Sequence, residues 1–400
     1  MQEYIPYGRQ DISEADINAV VEVLRSDFLT QGPVVPAFEQ AVAQKVGAEH
    51  ALAVNSATSA LHIACLALGL GQGDWLWTTP NTFVASANCA RYCGANVDFV
   101  DIDPQTWNLS VPALAAKLEK HRIAGKPLPK ILVPVHFSGQ PTEQEKIWEL
   151  AQEFGFKVLE DASHAIGSSR HGEPVGSCHW SDITVFSFHP VKIITSGEGG
   201  LALTNDEELA WKMSILRTHG ITRDPSRLEC EASGPWYYEQ QALGFNYRMT
   251  DLQAALGLSQ LDRLEGYVAR RNQLATRYDE LLKDLPLQRP KIQADNCSSF
   301  HLYVVRLPTR ENPNTHRQVF EELRRAGIGV NLHYMPVHLQ PDYCRLGFSE
   351  GMFLEAEAYG KEAISLPLFP KLTEGQQDWA VSHLQKLIED KYRSKKFSQP

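Results

Sequence analysis

Lys192 is the residue of this chain best placed for covalent chemistry. It stands in Val185-Phe-Ser-Phe-His-Pro-Val-Lys192-Ile-Ile-Thr-Ser-Gly-Glu-Gly-Gly200, where an apolar run delivers one amine into a loop of small residues. Burial in weakly polar surroundings lowers an amine's pKa and makes it nucleophilic, so a lysine in this setting reads as a Schiff-base former. Ser187 before it and the glycines after it suit an anion held by hydroxyl and backbone N–H groups. An ordinary surface lysine in a loop would look the same locally, and other segments have to decide.

Asn55-Ser56-Ala57-Thr58-Ser59 follows a strand-like run and opens a helical pattern. Its N–H groups and hydroxyls form an anion site at a helix N-terminus, although the same residue types are ordinary N-caps. Gly69-Leu-Gly-Gln-Gly73 follows a helix instead of a strand and reads as a C-cap and turn. Glu160-Asp161-Ala-Ser163-His164 places acidic, hydroxyl and imidazole groups just past a buried run. Asp161 could hold a protonated heterocycle nitrogen, orient a base, bind a metal or cap a helix; the further carboxylates or histidines that a metal would want are missing nearby. Phe83, after the turn Thr79-Pro80-Asn81-Thr82, could stack on a planar ligand or pack into the core. An amine, a carboxylate, a flat stacking surface and an anion cup together match pyridoxal 5'-phosphate. Its aldehyde bonds a lysine, its pyridinium nitrogen pairs with an aspartate, and its phosphate needs backbone and hydroxyl donors.

The elements that position these groups are legible as an α/β pattern. From about residue 48 to 205 short apolar runs alternate with helical segments, as in a mostly parallel sheet with crossover helices. The predicted strands are Ala51 to Val54, Asn96 to Asp101, Lys130 to His136, Phe156 to Glu160, Ile183 to Phe188 and Gly200 to Thr204. Ligands collect outside the carboxyl ends of such strands, so Asn55 to Thr58, Asp161 and Ser187 to Lys192 should face one crevice. A long helical pattern from Asp251 to about Leu285 reads as a connecting spine. Beyond it, His301 to Leu307 and Val330 to Tyr334 read as strands and Asn314 to Ala326 as a helix. The division is therefore 1–265, an N-terminal arm and large α/β domain, and 266–400, spine helix and small α+β domain.

The net charge of −10 argues against a general nucleic-acid or membrane surface, so an anionic ligand has to be gripped locally. Met1 to Gly8 has neither a basic n-region nor an apolar h-region, and the apolar stretch around Ala60 to Leu70 is too short to span a bilayer, which points to the cytosol. Seven cysteines, an odd number scattered along a chain of this size, do not read as a disulfide framework. Cys89 and Cys93 sit four apart on a predicted helix without a second ligand pair, and read as core residues.

At the residues named above the chain resembles the sugar aminotransferases of the DegT/StrS type, with the aspartate-aminotransferase fold (fold type I). The resemblance extends to Leu29-Thr-Gln-Gly-Pro33, Gly197-Glu-Gly-Gly200, Gly244-Phe-Asn-Tyr-Arg-Met249, Ala254-Ala-Leu-Gly-Leu-Ser-Gln-Leu261, His333-Tyr334 and Leu366-Pro-Leu-Phe-Pro370. Asp-Ala-Ser-His, Ser-Phe-His-Pro-Val-Lys and Gly-Leu-Ser-Gln-Leu look most like the pseudaminic acid branch. Members of that branch aminate C4 of a UDP-linked 4-keto-6-deoxy-N-acetyl sugar with L-glutamate as donor. The resemblance implies that Lys192 bonds the cofactor and carries protons, that Asp161 keeps the pyridine nitrogen protonated, and that His164 lies near the ring hydroxyl. It further implies that Phe83 stacks on the ring and that Ala57, Thr58 and Ser187 hold the phosphate. Asn246 joins them from a second subunit, giving a homodimer with shared sites. Thr30, His333 and Tyr334 are implied on the substrate side. Trp75 and Trp77, where aliphatic residues are commoner, and Ile193-Ile-Thr-Ser196 leave room for another 3- or 4-keto nucleotide sugar. Related sugar dehydratases carry histidine in place of the lysine, so Lys192 counts against that chemistry. It also counts against a non-catalytic protein that keeps an old pocket.

Overall fold

The computed structural model describes residues 4–308 and 314–396. Its centre is a seven-stranded sheet made of β1 (His50–Val54), β2 (Trp75–Thr78), β3 (Asn96–Phe99), β4 (Ile131–Val133), β5 (Lys157–Asp161), β6 (Ile183–Ser187) and β7 (Gly200–Thr204). The spatial order is β1-β7-β6-β5-β4-β2-β3. Every residue of β6 and β7 is buried, as central strands covered on both faces require.

Alternation sorts side chains to the two faces. Leu52 and Val54 of β1, Ile183 and Val185 of β6 and Ala202 of β7 join one apolar cluster with α3 (Ala57–Ala67) and α4 (Ala85–Tyr92). Ala53, Phe186, Leu201 and Leu203 point the other way, against Phe38 and Val42 of α2 (Val34–Val46). Helix α3 is buried almost all round, which its Ala-Leu-Ile-Cys composition permits.

Neighbouring strands are parallel except at β7, which runs antiparallel to both β6 and β1. The reason is local: residues 188–199 between β6 and β7 contain no crossover helix, and without one the chain returns antiparallel. The Lys192 loop is that return. The sequence reading missed β2, although Trp75-Leu-Trp-Thr78 between Gly73-Asp74 and Pro80 has the aromatic content and flanking breakers of a strand; Trp77 is fully buried.

Helices α1 (Glu14–Arg25), α5 (Asp251–Leu261) and α6 (Leu264–Leu281) give a second correction, because the spine is broken at Asp262-Arg263. The break sits where the end of α5 is fastened to α1: the buried Asp16 carboxylate accepts hydrogen bonds from Ser259, Gln260 and Arg263. A third concerns the C-terminal region, where β8 (Tyr303–Arg306) pairs with β9 (Ala363–Leu366) and Val330–Tyr334 is not a strand. Only Asn331 bridges to Ser365; His333 and Tyr334 then leave the sheet edge and turn into the cavity described below.

Tyr303, Val305, Ile364 and Leu366 form a separate apolar cluster with Leu274 and Tyr278 of α6, Val319 of Asn314–Arg325 and Leu384 of Glu374–Lys396. Ile5 of the N-terminal arm belongs to it, and the arm is tied down where Leu368 N–H donates to Tyr7 C=O. No helix among the described residues is long and apolar enough to cross a membrane.

Candidate active site

A cavity of about 880 Å³ opens where β5, β6 and the start of α3 converge, at the carboxyl ends of the parallel strands. Nine of the residues singled out by sequence line it: Ala57, Thr58, Phe83, Asp161, His164, Ser187, Lys192, His333 and Tyr334. Two do not. Thr30 is exposed and bridged to Thr250, and Asn246 is exposed and bridged to Thr218. Neither residue is among those that line the cavity of its own protomer.

The anion cup is built by strand ends. Ser56 caps α3, its hydroxyl accepting from Ser59 N–H, and this leaves the first-turn N–H groups of Ala57 and Thr58 at a helix N-terminus. Ser187 closes the cup from the end of β6. The two are brought together by Gly200, which pairs with Val54 on one side and Ser187 on the other. A Cβ on Gly200 would fall 2.4 Å from the backbone nitrogen of Ala57, so only glycine admits this approach.

Asp161 is buried at the end of β5, where its carboxylate accepts from the Ser86 hydroxyl at 2.6 Å and from Ser163 N–H at 3.1 Å. No ion pair satisfies this buried carboxylate among the described residues, and a cationic N–H donor entering the cavity would complete it. The Lys192 amine lies in the same cavity. Burial pushes its pKa down to about 8 against the opposing pull of the Asp161 charge, so a substantial fraction is neutral near pH 8. Phe83 is 57% exposed and thus not a core residue; its ring forms a wall of the cavity, tilted against Tyr334.

Four imidazoles line the cavity with the amine, those of His164, His189, His301 and His333. His164 accepts from Ser138 N–H at Nδ1 and presents Nε2 to the Tyr334 hydroxyl at 3.1 Å. His333 is held by Ser365 and Asn331, and the His301 ring lies tilted against that of His164 with centroids 4.3 Å apart. Burial, reinforced by the positive charge of Lys192, keeps the pKa of His164 well below the ordinary value and lowers that of His333 to about 3. His301 is likewise pushed well down, by burial and then by His164.

Sequence reasoning missed His301, Tyr7 and Ser86. Ser86 carried a usable signal, one helical turn after Thr82, to which it hydrogen-bonds at 2.7 Å. Tyr7 and His301 had none, because long-range packing alone brings the arm and the start of β8 to the cavity.

These residues fit pyridoxal phosphate: a cup of free N–H groups, a buried carboxylate wanting a cation, an exposed aromatic wall and an amine of lowered pKa share one cavity. The chain matches the model of the DegT/DnrJ/EryC1/StrS aminotransferase family over residues 10–385. It is 38% identical over 388 residues to the Bacillus subtilis spore coat polysaccharide biosynthesis protein SpsC, covering 96% of this chain and 97% of that protein. Among solved structures, Helicobacter pylori PseC, an aminotransferase involved in the biosynthesis of pseudoaminic acid, superposes with a TM-score of 0.89 at 31% identity, covering 97% of this chain and all of that one. The pyridoxal phosphate form of the putative sugar aminotransferase Spr1654 from Streptococcus pneumoniae gives 0.87 at 29% identity, with 97% and 99% covered. The chain belongs to the DegT/DnrJ/EryC1/StrS family, and it is a pyridoxal phosphate-dependent sugar aminotransferase of the type I fold.

Proposed function

We propose that this member of the family transfers an amino group from L-glutamate to C4 of a UDP-linked 4-keto-6-deoxy-N-acetyl sugar of the altrosamine type, and that it works as a homodimer with shared sites. The observation that carries the transamination chemistry is the pairing of a lowered-pKa Lys192 with an uncompensated, buried Asp161 in one cavity. The likeness to PseC supports the sugar.

Pyridoxal phosphate, when bound, supplies an aldehyde that exchanges amines and a ring that accepts the electron pair left on a deprotonated carbon. Lys192 holds the aldehyde end. Its amine also removes the proton from the donor's α-carbon and returns one to the sugar carbon, and a pKa of about 8 lets it act as both base and acid at working pH. Asp161, fixed by Ser86 and Ser163, keeps the ring nitrogen protonated. Ala57, Thr58 and Ser187 hold the phosphate, Phe83 stacks on the ring, and His164 with Tyr334 presents neutral donors to the ring's hydroxyl edge. His333 faces the sugar. Thr30 and Asn246 act in the partner's cavity, a reading supported by their exposure and by their absence from the lining of their own. Arg248, two residues from Asn246, makes no ion pair among the described residues and is available to the same neighbour. Residues 1–265 and 266–400 serve as cofactor domain and closing domain, with the cavity walled by both.

The test is product analysis. Holoenzyme given L-glutamate and UDP-linked 4-keto hexoses should yield 2-oxoglutarate and an amino sugar, identified by mass spectrometry, with the new amine on C4 by NMR. A deoxygenated sugar would point to dehydration, and an amine on C3 or no product would overturn the proposal.

A further inference from the structure

Asp251, the first residue of α5, carries a fully buried carboxylate that makes no ion pair among the described residues. Its oxygens are taken up instead by backbone N–H groups from the far end of the chain. Oδ2 accepts from Gly32 at 2.7 Å, and Oδ1 accepts from Val34 at 2.9 Å and Val35 at 3.0 Å. The Asp251 N–H donates in turn to Leu29 C=O at 3.0 Å, and Thr30 bridges to Thr250. The backbone from 29 to 35 thus rests largely on one residue.

The local sequence explains why that support is needed. Helix α2 begins after Pro33, which has no side chain able to cap it, so its first N–H groups would be left without partners. A carboxylate at this helix N-terminus makes charge-assisted bonds and is favoured by the helix dipole. The turn before the helix is strained: Gln31 has a φ of 56°, in the left-handed region that a residue with a side chain rarely adopts. Gly32 follows with no room for a side chain, since a Cβ there would lie 2.5 Å from Cβ of Phe28 and 3.0 Å from Oδ2 of Asp251.

What this clamp presents is not the cavity of its own protomer. Leu29, Thr30 and Gln31 are exposed and do not line it, and neither does exposed Asn246, which leads into α5. Gln31 and Arg248 border one small pocket, so the two outward segments stand side by side. Gln253 does line the cavity of its own protomer, but it is held by Thr250 and Glu198 without help from the carboxylate. A surface loop with so many fixed backbone bonds is preorganised for a contact outside its own protomer. We propose, on the reading that Thr30 acts across the dimer, that Asp251 is a positioning residue for the partner's active site. It holds the 29–32 loop so that Thr30 meets the sugar bound in the other protomer.

The experiment separates the two protomers. Asp251→Asn keeps the shape but turns one acceptor into an amide donor facing backbone N–H groups. Alone, it should lower turnover of L-glutamate with the UDP-linked 4-keto-6-deoxy-N-acetyl sugar roughly 10- to 100-fold, by misplacing the loop. Coexpressed with Lys192→Ala under two different tags and isolated as the mixed dimer, it should reach about half the wild-type turnover, because its Lys192 then receives the loop from a protomer that keeps Asp251. A residue that merely stabilised its own protomer would leave that site as slow as in Asp251→Asn alone. Gly32→Ala disturbs the same contact with Asp251 in place, and should show the same loss alone and the same recovery in the mixed dimer; it carries the test if Asp251→Asn does not fold. Thr30→Ala added to Asp251→Asn should cost little beyond Asp251→Asn itself. Mixed dimers of Lys192→Ala with Asn246→Ala, measured alongside, report on the shared site. Recovery there without recovery for Asp251→Asn and Gly32→Ala would overturn the positioning role and leave the shared site standing, whereas no recovery in any pair would overturn both. Wild-type turnover in Asp251→Asn would likewise overturn the positioning role.

Discussion

Gly200→Ala tests whether the anion cup depends on the close approach of β7 to α3. A Cβ at this position lies 2.4 Å from Ala57 N, 2.4 Å from the Ser56 carbonyl carbon and 2.5 Å from its oxygen. All three are backbone atoms of the N-terminal turn of α3, and ordinary contact begins at 3.4 Å, so that turn has to retreat by roughly 1 Å. Overpacking of this kind costs about 1–3 kcal/mol. If the whole cost falls on the N–H groups that hold the phosphate, affinity for pyridoxal phosphate drops roughly 5- to 150-fold. Gly199→Ala is the matched control. Its Cβ meets the Cε of Met249 at 2.6 Å, the far end of a flexible side chain, and the cost should stay below about 1 kcal/mol. Both variants are titrated as apo-protein with pyridoxal phosphate by absorbance, with inorganic phosphate as competitor, and melted without ligand. Wild-type affinity in Gly200→Ala, or equal losses in the two variants, would refute the reasoning.

Three further outcomes are expected. Labelling of apo-protein with trinitrobenzenesulfonate, followed at the Lys192 peptide by mass spectrometry, should rise through a midpoint near pH 8, because the amine is protonated and inert below its lowered pKa. Asp161→Asn removes the one charge that raises this pKa, so the midpoint should move lower; the same variant should lose about 100-fold or more in turnover while still binding cofactor. A shared site predicts complementation. Lys192→Ala and Asn246→Ala are each inactive alone, but refolded together at equal amounts they should recover about a quarter of wild-type activity, since half the dimers are mixed and each holds one intact site. No recovery from demonstrably mixed dimers would place Asn246 outside the partner's cavity.

The sequence was most legible where chemistry and local structure coincide. Asn55 to Thr58 cap a helix and form a cup through the same N–H groups, and Asp161 and Ser187 end their strands in the crevice that the α/β pattern foresees. Legibility failed where position depends on distant partners. The antiparallel β7 follows from a missing helix and not from any feature within Gly200–Thr204. The break between α5 and α6 reflects Asp16, more than two hundred residues earlier, whose contacts with Ser259 and Gln260 no helical periodicity reveals. Thr30 and Asn246 are the extreme case, because their own chain leaves them at the surface and outside the cavity that the other predicted residues line.

The tautomers of the histidines explain why one lysine can carry the proton traffic. Ser138 N–H donates to Nδ1 of His164, so that ring keeps its proton on Nε2, toward the Tyr334 hydroxyl. The Asn331 amide at Nε2 of His333 leaves its proton on Nδ1, toward Ser365. Burial and Lys192 hold both rings neutral, and burial raises the Tyr334 hydroxyl far above its usual range. At neutral pH these groups therefore donate fixed hydrogen bonds and do not exchange protons. Lys192, at about 8, is left as the amine able to accept and release a proton there. A neutral ring adds little charge at the lysine, so His164→Gln should leave the Lys192 labelling midpoint near pH 8 while turnover falls; a midpoint that rises on the substitution would show that His164 carries a proton and suppresses the amine, and would refute the assignment.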